Sequence, residues 1–175
     1  VNRIEHIALM ARYNQWMNRK LYDAAGRLSD AQLREDRHAF FGSILGTLNH
    51  LALGDTVWLQ RFARHPAGYP ALEPLSALDT PSDLKQLAFA DFQQLATRRA
   101  WLDQLIIDWA LTVREADLDH RLHYHNMRGI AADKDFSSLL LHFFNHQTHH
   151  RGQTTTLLTQ AGVDVGDTDL LALID

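Results

Sequence analysis

Four of the 11 histidines fall inside one window, Leu139–Gln153, and their spacing is that of a ligand set. His142, His146 and His150 recur every four residues, and His149 adjoins the last. Residues four apart on a helix share a face, with Cβ atoms about 5–6 Å apart. Two imidazoles so placed can converge on one cation, about 2.0–2.1 Å from each nitrogen if the ion is zinc. On a wheel advancing about 100° per residue, Phe136, Leu139, Phe143, Leu157 and Ala161 define an apolar arc. His146 and His150 fall within or beside that arc, and His142 and His149 fall at its polar edge. Imidazoles set among Leu and Phe cost free energy unless they are hydrogen-bonded or ligating. The pair is therefore half of a metal site or two core histidines bonded to neighbouring helices, and the spacing favours the metal.

The chain has no cysteine, which removes disulfides, thiolate ligands and a cysteine nucleophile together. A metal must then be held by His, Asp, Glu or water. Imidazole suits zinc, nickel, copper and iron alike. The spacing approaches the His-Glu-x-x-His protease motif, but Gln147 stands where the glutamate general base belongs, which counts against that chemistry. A base from elsewhere has two weak candidates, Asp55 and His142. Asp55 lies in the apolar arc of an earlier helix and needs a partner. It either holds a ligand imidazole by its second nitrogen or forms a buried salt bridge to an arginine. Arg151 and Gln153 are placed to bind a substrate carboxylate or to support a ligand, and a surface salt bridge suits Arg151 equally well.

These residues need helices to position them. Residues 3–27 read as a first helix with Ile7, Met10, Asn14, Met17 and Leu21 on one face; Asn14 is read as a buried amide bonded to a neighbouring helix. Ser43 is a plausible N-cap for a second helix running to about Arg64, stopped by Pro66, Gly68 and Pro70. His50 sits at the edge of its apolar arc. Gly54 weakens that helix by about 1 kcal/mol relative to Ala, which implies a packing or access reason. Residues 66–79 read as a loop. Thr80-Pro81 reads as the start of a third helix reaching about Trp109, with Arg98, Arg99 and Asp103 on a solvated face. Residues 117–135 read as a short hairpin turning at Asn126–Gly129, with His120, His123 and His125 facing solvent. The fourth helix spans Phe136 to about Gln160 and stops at Gly162. The expected fold is all-α: a four-helix bundle with a short β-hairpin between helices three and four, in a single domain over 1–175.

Composition narrows the partners. The 175 residues are 46% hydrophobic and 22% charged, as in a globular domain. A net charge of −4 with no dense Lys/Arg block argues against nucleic acid. No apolar run approaches 18 residues, so no membrane span is expected. The N-terminal Val1-Asn-Arg-Ile-Glu carries no signal-peptide pattern, and the cytoplasm is the expected location.

Several segments together resemble the DinB family, within the larger DinB/YfiT-like four-helix superfamily. They are Tyr13-Asn-Gln-Trp-Met-Asn18, Leu48-Asn-His-Leu51 with Asp55 and Trp58, Asn145-His-Gln-Thr-His-His-Arg-Gly-Gln153, and Thr168-Asp-Leu170. The resemblance implies a divalent metal, zinc or nickel, held by His50, His146 and His150. It adds His50, which the wheel does not separate from His142. It also implies a homodimer, a small-molecule substrate and, for some members, a low-molecular-weight thiol as co-substrate. Three neutral imidazoles leave a tetrahedral ion one open position, so the expected activity is that of a metal-dependent hydrolase or thiol S-transferase. The alternatives are a bundle in which the metal is only structural, and a metal-free module binding a small ligand.

Overall fold

The computed structural model describes residues 2–174. Its long helices are α1 (Arg3–Ala25), α3 (Ile44–Phe62), α4 (Phe92–Ala110) and α5 (Phe136–Gln160), with a short α2 (Asp30–Arg34) between the first two. Strands β1 (Arg121–His125) and β2 (Ala131–Asp135) form an antiparallel pair between α4 and α5.

Each long helix starts on a side chain that satisfies an orphan amide. Asn2 and Glu5 form a reciprocal capping box on α1. Ser43 Oγ accepts from Gly46 N at 3.0 Å on α3, and Asp91 Oδ1 from Gln94 N at 2.8 Å on α4. Asp135 Oδ1 accepts from Ser138 N at 2.8 Å, so one residue closes β2 and opens α5. Beyond α5, Gly162 adopts φ +82°, the left-handed conformation that favours glycine at a helix end.

The third helix starts later than the Thr80-Pro81 signal predicts. Residues 80–90 form no helix, and α4 begins at Phe92. Tertiary bonds explain the difference. Asn49 on α3 accepts from Phe89 N at 2.8 Å and donates to Phe89 O at 3.0 Å, and Leu84 O faces His50. Those bonds engage backbone groups that an early helical turn would need. The stretch read as a plain loop also carries a 3-10 helix, Pro70–Ala77, which buries Leu72 and Leu75.

Helix α1 packs on α4 and α5, and α3 packs on the same two. One end of the core is aromatic: Phe62 stacks on Trp109 (ring centroids 5.3 Å apart) and meets Phe136 and Phe143 edge-on. The middle is polar. Arg99 Nη1 donates to Asp55 Oδ2 at 2.5 Å and Arg99 pairs with Asp103 at 2.9 Å, all three side chains buried. Asn14 and Asn18 each donate to Asp103 Oδ1, and Arg151 donates to Asn14 Oδ1. All four long helices thus contribute to one buried network with two cations and two anions. The solvated face expected for Arg99 and Asp103 is corrected by this: the two residues face inward because Asp55 on α3 and the two asparagines on α1 complete their bonding.

In the hairpin, Arg121 pairs with Asp135 and His125 with Ala131, and the turn closes on Gly129 at φ +73°. Leu122 is buried, whereas His123 and His125 are exposed on one face. No helix among the described residues is long and apolar enough to cross a membrane.

Candidate metal centre

Helices α3 and α5 run antiparallel along one seam. His50 meets His150, Gly54 meets His146 and Trp58 meets His142 as residue numbers rise on α3 and fall on α5. The two helical spacings, His50–Gly54–Trp58 and His142–His146–His150, thereby face each other, and the three-histidine group arises at one end of the seam.

His50 Nε2 lies 3.1 Å from His146 Nε2 and 3.1 Å from His150 Nε2. Nitrogens bound tetrahedrally to one ion at about 2.0–2.1 Å stand roughly 3.3–3.4 Å apart, so the group has the size of a zinc-type site. Among the described residues, no other His, Asp or Glu joins it.

The outer nitrogens set the tautomers. His50 Nδ1 faces the Leu84 carbonyl at 3.0 Å, and His150 Nδ1 faces Gln153 Oε1 at 2.7 Å. Both partners are acceptors, so each Nδ1 carries the proton and each Nε2 presents a lone pair. Oriented in this way, imidazoles are ligands, and such outer contacts fix ring orientation and raise basicity. His146 Nδ1 is buried with no partner. Burial pushes His50 down to about 4 and His146 down to about 3, the latter helped by the neighbouring imidazoles. His150 is lowered as well, mainly by burial. All three are therefore neutral near pH 7, as metal binding requires. The observed donor set fits a divalent cation: two facing lone pairs repel across 3.1 Å unless positive charge lies between them.

Two positions give the group its shape. A Cβ on Gly54 would sit 3.1 Å from His146 Cε1, so the glycine makes room for that ring. This is the packing reason that the cost of a mid-helix glycine implies. Phe41 stacks on His50 (centroids 3.9 Å, interplanar angle 18°) and meets His150 edge-on at 5.4 Å. A tight turn holds Phe41 there: Gly42, at φ +75°, donates to Ala39 O and accepts from Arg37 N. Sequence reasoning passed over both Phe41 and the Leu84 carbonyl. The Phe40-Phe41-Gly42 run was a legible sign of an aromatic turn, but a backbone acceptor leaves no sign in the sequence.

The remaining candidates lie around this group. Gln153 is in contact with a ligand ring. Asp55 is not: its Oδ2 accepts from Arg99 and from Gln147 Nε2 at 3.0 Å, so it forms the buried salt bridge of the two readings. Arg151 is buried against Asn14, Thr148 and the Tyr13 ring, which rules out a surface salt bridge and leaves it turned into the core. His142 is exposed, with its ring 5.0 Å from Trp58 and 6.0 Å from His146. His149 is also exposed, with its ring edge-on to that of His150 at 4.8 Å.

The fold and the site define a mostly helical protein in which three neutral histidines from two antiparallel helices form a group that could hold one metal ion. The chain belongs to the DinB family, whose pattern matches residues 3–175. It is similar to Protein DinB of Bacillus subtilis (strain 168), at 26% identity over 157 residues that cover 90% of this chain and 87% of that one. No solved structure matches the chain.

Proposed function

We propose that this is a metal-dependent enzyme, a hydrolase or thiol S-transferase acting on a small molecule, with zinc or nickel held by His50, His146 and His150 in a four-helix bundle. The observation that carries the reading is the approach of His146 Nε2 and His150 Nε2 to His50 Nε2, at 3.1 Å each, with the outer nitrogens of His50 and His150 bonded to acceptors. Held by His50, His146 and His150 as neutral imidazoles, a divalent ion would supply Lewis acidity toward a water or a thiol.

The chain's own residues then divide the work. Leu84 O and Gln153 Oε1 hold two ligand rings in the metal-binding tautomer. Phe41 shields one face of His50 from water. Asp55 is excluded as a base because it is buried and committed to Arg99 and Gln147. His142, exposed one turn from His146 and not bonded to the group, is left as the side chain that could hold or move a proton. With no carboxylate in the ligand cluster, a thiol suits the site better than a water. A thiol ordinarily ionises near pH 8–9 and asks less of a general base.

The test is anomalous scattering from crystals grown with zinc or nickel, joined to activity screens of ester and amide hydrolysis and of thiol conjugation. A single ion on the three Nε2 atoms and a turnover that chelation abolishes support the reading. An ion bound elsewhere, or turnover indifferent to chelation, overturns it.

A further inference from the structure

Arg61 and Arg64 stand one helical turn apart at the C-terminal end of α3 and line a cavity of about 390 Å³. The cavity lies between that helix end, the Thr80–Ser82 stretch and the hairpin tip. It is lined by the hydroxyl-bearing residues Thr80, Ser82 and Tyr124 together with His125, and by no carboxylate residue. The nearest acids in sequence turn elsewhere: Asp79 lines a neighbouring hollow, and Asp83 Oδ1 accepts from Lys85 N at 2.8 Å.

Arg61 is not a solvated arginine free to swing. Its guanidinium carbon lies 4.5 Å from the Trp58 ring centroid and 4.7 Å from that of Tyr124, and Nη2 donates to His125 O at 3.1 Å. The Trp58 and Tyr124 centroids lie only 5.6 Å from each other, so the two rings cup the cation from one side and leave its other side, with the remaining N–H groups, able to recognise an anion. Burial and the adjacent Arg64 both lower the Arg61 pKa from its ordinary value. The negative end of the α3 dipole offsets some of the repulsion. It offers little bonding, because carbonyls of the last turn are already taken: Ala63 N donates to Leu59 O, Arg64 N to Arg61 O and His65 N to Phe62 O. The chain thus holds Arg61 in place and sets exposed Arg64 beside it, in a hollow lined by three hydroxyl-bearing residues and no carboxylate.

We propose that this cavity binds a phosphate monoester dianion, with Arg61 and Arg64 as the cationic clamp and Thr80 and Ser82 as further donors. A dianion matches the two charges, and the terminal oxygens of a phosphate accept from guanidinium forks and hydroxyls together. The site is separate from the histidine group and does not depend on the reaction proposed there.

The experiment is calorimetric titration of the full chain with glycerol phosphate, inorganic phosphate and succinate. Chelator is present throughout, so that no phosphate binds through a metal at the histidines. Saturable one-to-one binding of the phosphate monoester is expected, and Arg64→Gln weakens it about tenfold or more, the scale of a lost charge-assisted contact. Arg61→Gln has the larger effect, and Arg61→Lys restores only part because it keeps the charge and loses the fork. Arg61 packs on two rings and its loss could unfold the hairpin, so exposed Arg64 and Ser82→Ala carry the test independently. Absence of binding at millimolar ligand overturns the proposal. So does equal weakening by Arg12→Gln on α1, which would mark general anion attraction, and so does tighter binding of succinate than of the phosphate ester.

Discussion

The Nε2 atoms of His50 and His150 face each other at 3.1 Å while the Nδ1 of each ring points at an oxygen acceptor. Neither inner nitrogen then carries a proton, and the approach is one of two lone pairs. A hydrogen bond cannot account for that arrangement, whereas a shared cation would. The outer acceptors are therefore part of the site, and they are separable from it by mutation.

Gln153 provides the sharper of those tests. Its Oε1 accepts from His150 Nδ1 at 2.7 Å, and the residue is half-buried in the C-terminal third of α5. Gln153→Ala is expected to weaken metal affinity by about 10–100-fold, the usual effect of deleting a partner of a ligand histidine. Helix content should not change. Competition against a chromogenic chelator gives the affinity, and far-ultraviolet circular dichroism gives the fold. An unchanged affinity would remove Gln153 from the site.

Gly54→Ala should move stability and metal affinity in opposite directions. An alanine favours the helix by about 1 kcal/mol, but its Cβ would meet His146 Cε1 at 3.1 Å and push the ring off its place. The expected outcome is a chelator-treated protein at least as resistant to urea as the parent, with weaker binding of zinc. A variant that loses stability and keeps affinity would show that the ring has room to give way.

The buried network makes Asp55 a structural residue. Removing it leaves Arg99 buried, with one ion pair broken. Breaking a buried pair in this way costs about 3–5 kcal/mol. Asp55→Ala should therefore lower the urea midpoint severely, Arg99→Leu should lower it further because it leaves both Asp55 and Asp103 without their cation, and the double variant should cost less than the sum of the two. A merely additive double variant would refute the coupling.

Chelation should leave the chain folded. Trp109, Phe62, Phe136 and Phe143 pack together without contribution from His50, His146 or His150, and the Asp55–Arg99 network joins all four long helices without help from a metal. A bound ion adds stability only by mass action, about 2.7 kcal/mol at a hundred times its dissociation constant. The melting temperature should fall on chelation, recover with zinc, and remain cooperative in both states. Loss of the cooperative transition would give the ion a structural role instead.

Periodicity and caps made much of this legible in the sequence. The 3.6-residue pattern placed α5, and Ser43 and Gly162 marked boundaries correctly, because those signals act within one helix. The wheel also picked out His146 and His150, since both lie on the packed side of a single element. His50 needed the family resemblance, because nothing local tells it from His142; only the antiparallel seam brings it opposite His150. The late start of α4 and the burial of Arg99 and Asp103 escaped for the same reason. In both cases the deciding partners, Asn49 for one and Asp55 with Asn14 and Asn18 for the other, lie on other helices.

His65 should give the fold a pH dependence of its own. Its Nδ1 accepts from Ala67 N at 3.0 Å, and its Nε2 contacts Asp117 O at 3.1 Å, so the neutral Nε2–H tautomer satisfies both neighbours. Protonation at Nδ1 would set two N–H groups against each other beside Phe136, whose ring centroid is 4.5 Å away. Burial accordingly holds its pKa below the ordinary 6.5. For a histidine lowered in the folded state, the unfolded chain takes up the proton first as pH falls. The contribution is complete above 6.5 and is lost as pH drops from there through the folded value. Long-range nitrogen–proton spectra should show the Nε2–H tautomer at pH 7 and a ring titrating below 6.5. Urea midpoints should fall between pH 7 and pH 5 by more in the parent than in His65→Phe. A ring that titrates at or above 6.5 would mean that the Ala67 amide does not hold it neutral.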